Sequence, residues 1–162
     1  MLEVTDADLR DGLTAALAVP RWVEDVAARA PFDSLDELQA VAYAEATPLP
    51  AAEIEQAIAH HPRIGEKPVG AGTSQALSRA EQGEATELAE ELAAGNAAYE
   101  ARFGRVFIIR AAGRARADIL AELHRRLELD VATELVIVGE QLRDIALLRL
   151  ETLFAPHSKG AP

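Results

Sequence analysis

A chain of 162 residues with a net charge of −11 and no cysteine excludes several functions at the outset. Thiolate metal centres and disulfides lack their ligands, and the acidic balance argues against nucleic acid or an anionic membrane surface as partner. Apolar residues make up 49% but aromatics only 4%, so the supply is mainly Ala and Leu, which favour packed helices over sheet.

The expected architecture is therefore all-α: one compact multi-helix domain over residues 1–162, with 155–162 a frayed tail. No apolar run is long enough to span a bilayer. Met1 to Asp6 lacks the basic and apolar regions of a signal peptide, which points to the cytoplasm.

In chain order, Thr5 or Asp6 can cap a first helix reaching about Val19, with Leu9, Leu13, Ala16 and Leu17 inward. Pro20 closes it and opens a second helix through Arg29, with Trp22 as a packing anchor. Ser34 and Glu37 form a capping box for a third, whose face is Leu35, Leu38, Val41 and Ala42. Pro50 opens a fourth, and Pro62 forces its end near His60 or His61.

The segment His60-His61-Pro62-Arg63-Ile64-Gly65 concentrates the polar chemistry of the chain. His61 falls seven residues after Ile54, four after Ala57 and three after Ile58, so it continues the apolar face while His60 points elsewhere. A histidine there can line a pocket, or it can be a core residue satisfied by a carbonyl. The loop Pro68 to Ser74 has two glycines but no phosphate-loop Lys and Ser/Thr, so it is weak grounds for nucleotide binding.

Ser78-Arg79-Ala80-Glu81 reads as a second capping box opening a helix toward Ala101, which Gly95-Asn96 can bend. Glu81 also sits on the stripe of Ala85, Leu88 and Leu92, where a carboxylate needs a partner. Phe103 to Arg114 is the one strand-like run, readable equally as an extended buried connector. Asp118 to Leu127 is helical, and Asp130 or Thr133 caps a last long helix to about Phe154. Its stripe is read as Leu135, Val138, Leu142, Ile145 and Leu153, with Arg149 on it. A buried arginine stays charged, so it needs an anion, supplied by a structural carboxylate or by a substrate. His61, Glu81 and Arg149 together are a minimal set for acid–base work on a small anion.

The chain resembles the decarboxylases of 2-oxo-4-hydroxy-4-carboxy-5-ureidoimidazoline (OHCU), which form (S)-allantoin at the end of urate breakdown. The residues that carry the resemblance are His61-Pro62-Arg63-Ile64-Gly65, Ser78-Arg79-Ala80-Glu81-Gln82, and Asn96 through Gly104. Phe107-Ile108-Ile109, Ala111-Ala112-Gly113-Arg114 and Leu148-Arg149-Leu150 continue it, and Arg21-Trp22-Val23 and Arg29-Ala30-Pro31-Phe32 fit as well. The resemblance implies an all-helical single domain, a homodimer, no metal and no organic cofactor, acting on a small anionic substrate. It implies His61 as catalytic acid, with Glu81 and Arg149 as the other catalytic residues. It further implies substrate contacts from Pro62, Ser78, Arg79, Ala80, Gln82 and the backbone of Phe107, Ile108, Ile109, Arg110 and Ala111. Stripe spacing prefers Arg149 to the nearby Arg143. One departure is Arg110, where the family pattern calls for a small residue or cysteine.

Two other classes compete. A non-catalytic helical interaction module explains the acidic surface but not three inward polar residues. A metal hydrolase using His60, His61 and a carboxylate is opposed by the divergence of adjacent histidines on a helix and by the lack of a His-Glu-x-x-His pattern.

Overall fold

The structure is a computed structural model that describes residues 2–59 and 82–155, and of residues 82–87 the backbone alone. Among the described residues all regular structure is helical. The helices are α1 (Asp6–Ala16), α2 (Pro20–Ala27), α3 (Leu35–Glu45), α4 (Ala51–Ile58), α5 (Gln82–Phe103), α6 (Arg116–Leu127) and α7 (Val131–Phe154). Contacts group them into two compact units, residues 1–60 with 135–162, and residues 61–134; the division falls inside α7.

In the first unit, the hydroxyl of Thr5 caps α1 by accepting from the amide of Asp8 at 3.0 Å. Helix α1 stops at Ala16, three residues short of the expected Val19. The cause is Pro20, which disfavours helical geometry at Val19. Leu17 and Val19 are extended at the two caps and fully buried all the same. Trp22 is the anchor expected: it is fully buried, and its indole N–H donates to the carbonyl of Ala42 in α3 at 3.0 Å. That bond lets the indole sit in the core without an orphan donor.

The Ser34 hydroxyl accepts from the Glu37 amide at 3.1 Å, as a capping box requires. The return half differs, because Glu37 Oε2 accepts from the amide of Asp33 at 2.6 Å, one residue before the cap. Pro50 is the N-cap of α4 rather than its first residue, with ψ 155°. Arg21 ties α2 to α4 through Glu53 at 2.7 and 3.0 Å, and to Asp25 at 3.2 Å and Glu45 at 3.4 Å. The surrounding carboxylates, Glu53 foremost, raise the pKa of its guanidinium, which keeps this hub charged.

Helix α7 buries Val138, Leu142, Ala146 and Leu150, a row advancing by four residues. The expected stripe was drawn too far round the helix. Ile145 is only half-buried and Leu153 is 47% exposed. The cap of α7 is Asp130, whose Oδ1 accepts from the Thr133 amide at 2.7 Å.

The second unit holds α5, the connector and α6, with α5 packed on α6. Helix α5 runs through Gly95 and Asn96 without a break. Gly95 serves close packing instead: a Cβ there would lie 2.4 Å from Leu123 Cδ2. Helix α6 begins at Arg116, two residues before the expected Asp118. The strand-like run forms no strand among the described residues. It is bracketed by Gly104 at φ +71° and Gly113 at φ +80°, both in the left-handed region that glycine adopts freely. Between them Phe107, Ile108 and Ile109 are buried in succession, which is why an apolar run of β-branched residues need not mean sheet.

Candidate active site

His61, Pro62, Ser78, Arg79, Ala80 and Glu81 lie outside the described residues, and Gln82 is the first residue of α5. The described part of the expected site is therefore Arg149 in the first unit and Phe107 to Ala111 in the second.

Arg149 is half-buried, not core. It sits one residue before the fully buried Leu150, on the border of the apolar row of α7. Its Nη1 donates to the carbonyls of Ala15 and Ala16, each at 3.3 Å. These belong to the last turn of α1, where a cation meets the negative end of the helix dipole. Among the described residues no carboxylate pairs with it. Burial lowers the guanidinium pKa, and nothing described raises it. The group remains a cation, because arginine starts above about 12. A half-buried guanidinium held only by neutral carbonyls is suited to receive an anion.

Arg143 is engaged differently. Its Nε and Nη2 reach Asp144 Oδ1 at 3.1 and 3.0 Å, Nη1 donates to Thr47 Oγ1 at 3.4 Å, and the guanidinium lies 4.4 Å from the Tyr43 ring centre. With its charge met by Asp144 and its face on a ring, Arg143 is the poorer anion site.

In the second unit, the connector is fixed from beneath by a charged cluster that the sequence reading missed. Arg126, Glu134 and Tyr99 are all fully buried. Arg126 Nε donates to both carboxylate oxygens of Glu134, at 2.9 and 3.1 Å, and Nη2 donates to Oε2. The Tyr99 hydroxyl donates to the same Oε2. Burial first, then the Glu134 carboxylate, pushes the Tyr99 phenol above its ordinary pKa. The remaining arm, Nη1 of Arg126, donates to the carbonyl of Ile108 at 2.7 Å, and the guanidinium lies 4.5 Å from the Phe107 ring centre.

The signal for this cluster was present. Arg126 lies three residues after Leu123 on the row of Ile119 and Leu123, and Glu134 lies four before Val138. The spacing argument that singled out Glu81 and Arg149 finds both. Arg110 and Ala111 are half-buried. Among the described residues no cluster of His, Cys, Asp and Glu can hold a metal ion. Nor is any described helix long and apolar enough to cross a membrane.

The fold has close counterparts among solved structures. A crystal structure of OHCU decarboxylase in the presence of (S)-allantoin matches with a TM-score of 0.75 at 26% identity, over 90% of this chain and 99% of that one. A crystal structure of (S)-allantoin synthase, at 18% identity and TM-score 0.67 over 94% of this chain and 52% of that one, shares the fold. These matches define the class as an all-helical decarboxylase fold.

Sequence narrows it further. Mouse (Mus musculus) 2-oxo-4-hydroxy-4-carboxy-5-ureidoimidazoline decarboxylase is 32% identical over 137 residues, covering 81% of this chain and 77% of that protein. The uric acid degradation bifunctional protein of Arabidopsis thaliana is 33% identical over 111 residues, 64% of this chain and 34% of that longer protein. The OHCU decarboxylase family matches residues 3–151, and the chain belongs to that family.

Proposed function

We infer that this chain is a carboxy-lyase that decarboxylates 2-oxo-4-hydroxy-4-carboxy-5-ureidoimidazoline in urate degradation, giving (S)-allantoin. Family membership across residues 3–151 carries the assignment. The half-buried Arg149, a cation that meets no carboxylate among the described residues, supports an anionic substrate.

The substrate's own structure makes a cofactor unnecessary. Its carboxylate sits on a carbon next to a ring C=N. When the bond to carbon dioxide breaks, the electron pair flows into that C=N, so the substrate serves as its own electron sink. The protein must hold the carboxylate out of the ring plane, stabilise the enol-like intermediate and deliver one proton to one face. His61 handles the hydroxyl-side or final proton. Glu81 orients hydroxyl or ureido donors, and Arg149 counters negative charge. Pro62, Ser78, Gln82 and the backbone of Phe107 to Ala111 supply the remaining contacts. The chain acts as one domain, as a cytoplasmic homodimer.

Paired substitutions test the site. His61→Ala removes most of the acceleration, on the order of the 10²–10⁴-fold typical of a general acid, while His60→Ala is mild. Equal losses at both positions contradict the assignment of His61. Glu81→Gln keeps length and capping capacity. If it melts normally and turns over poorly, Glu81 is catalytic; normal turnover with a lowered Tm leaves it only a cap.

A further inference from the structure

We propose that Arg126 is a positioning residue of the active site, with Glu134 and Tyr99 as its anchors. The proposal rests on the reading above that the backbone of Phe107 to Ala111 faces the substrate. A segment outside helix and sheet has no ladder to fix the direction of its amides and carbonyls. Arg126 supplies such a restraint here: it donates to the Ile108 carbonyl at 2.7 Å and stacks on Phe107 at 4.5 Å. With that carbonyl committed to Arg126, the orientation of the adjoining peptide groups is constrained as well.

The arginine itself cannot drift. Glu134 takes Nε and Nη2, and Tyr99 holds Glu134 Oε2 from the other side. The three residues come from three helices: Tyr99 from α5, Arg126 from α6 and Glu134 from the first turn of α7. Any change of helix packing within this unit is therefore passed directly to the connector. A guanidinium is needed because it alone can serve a carboxylate on one edge and a carbonyl with its other arm.

A purely structural ion pair would stabilise the fold and leave substrate affinity unchanged in folded protein. The test compares Arg126→Lys with Leu123→Ala, a cavity variant at a fully buried position of the same core cluster. Lysine keeps the charge and can pair with Glu134, but one ammonium does not also reach Ile108. Steady-state kinetics on freshly generated substrate are measured for both, well below each variant's own Tm, with His61→Ala as reference. The expected result is a fall in kcat/KM for Arg126→Lys of about ten- to a hundredfold, as for slight misplacement of a binding group. The fall lies mainly in KM, and Leu123→Ala keeps a near-normal KM. Glu134→Gln, which keeps an acceptor for Nε, falls between them.

If Arg126→Lys shows the wild-type KM, or if its loss is matched by Leu123→Ala, the cluster is structural and the proposal fails. In that event an inactive His61→Ala shows that the reading of the catalytic site still stands. A fully active His61→Ala overturns that reading, and the positioning role with it.

Discussion

Arg126 and Glu134 form a fully buried ion pair eight residues apart in sequence, across the break between α6 and α7. Such a pair is dangerous to break and cheap to replace as a whole, since removal of one partner strands a buried charge. Glu134→Ala or Arg126→Met alone should destabilise by about 3–5 kcal/mol. Arg126→Met combined with Glu134→Leu and Tyr99→Phe should recover most of that loss. Urea melts of the single and combined variants check this, and additive losses would contradict it.

Tyr99 gives the fold an alkaline limit. Its folded pKa is raised, while in the unfolded chain it ionises near about 10. The neutral phenol is thus favoured by the fold. The stability it contributes is fully present below about pH 10 and is lost as the pH rises through the folded value. Tyr99→Phe should cost about 1.5–3 kcal/mol at neutral pH, the worth of a hydrogen bond to a charged group. Its urea midpoint should also fall less between pH 8 and pH 11 than that of the wild type.

Glycine substitutions separate the two kinds of site that a bare sequence presents alike. Gly95→Ala gains about 1 kcal/mol of helix propensity. It also drives a Cβ to 2.4 Å from the buried Leu123 side chain, so a net loss of about 1–3 kcal/mol is expected. Gly139→Ala comes no nearer than 3.3 Å, to Ile54 Cδ1, and should be close to neutral. Thermal melts of the two variants decide, and equal losses would contradict the packing argument.

These cases show which parts of the molecule were legible in sequence. Local rules read well where one side chain decides the outcome: Thr5, Ser34 and Asp130 cap as expected, and Trp22 anchors. They failed where a partner from another helix decides. Gly95 looked like a bend because nothing in its neighbourhood names Leu123 as the residue packed against it. The row on α7 was drawn through Leu153 rather than Leu150 because an Ala/Leu-rich helix offers several apolar rows of similar length. Arg149 was consequently placed in the core rather than on its border. Arg126 and Glu134 escaped because each has an ordinary surface reading, near a helix end or in a first turn. Of the candidate site, His61 and Glu81 rest on motif and spacing, since both lie outside the described residues.

Arg149 and Arg143 should respond differently to loss of charge. Arg149→Met keeps the apolar stem and removes a half-buried cation whose pKa burial lowers. Its stability should stay within about 1 kcal/mol of wild type or rise, since replacing a poorly paired buried charge by packing is often favourable. An anionic substrate analogue, which stabilises the wild type by mass action, should lose most of its Tm shift. Arg143→Met loses its pairing with Asp144 but should keep the shift. A full shift in Arg149→Met would place the anion elsewhere, with Arg63 or Arg110 next to be tested.

The central claim is stereospecific decarboxylation, and circular dichroism reads it directly. Urate is oxidised by uricase and treated with hydroxyisourate hydrolase, and this protein is then added at once. Rapid growth of the (S)-allantoin signal to a full enantiomeric excess, in proportion to protein added, is the predicted result. Slow conversion at the rate seen without the protein, ending in racemic allantoin, would contradict the account.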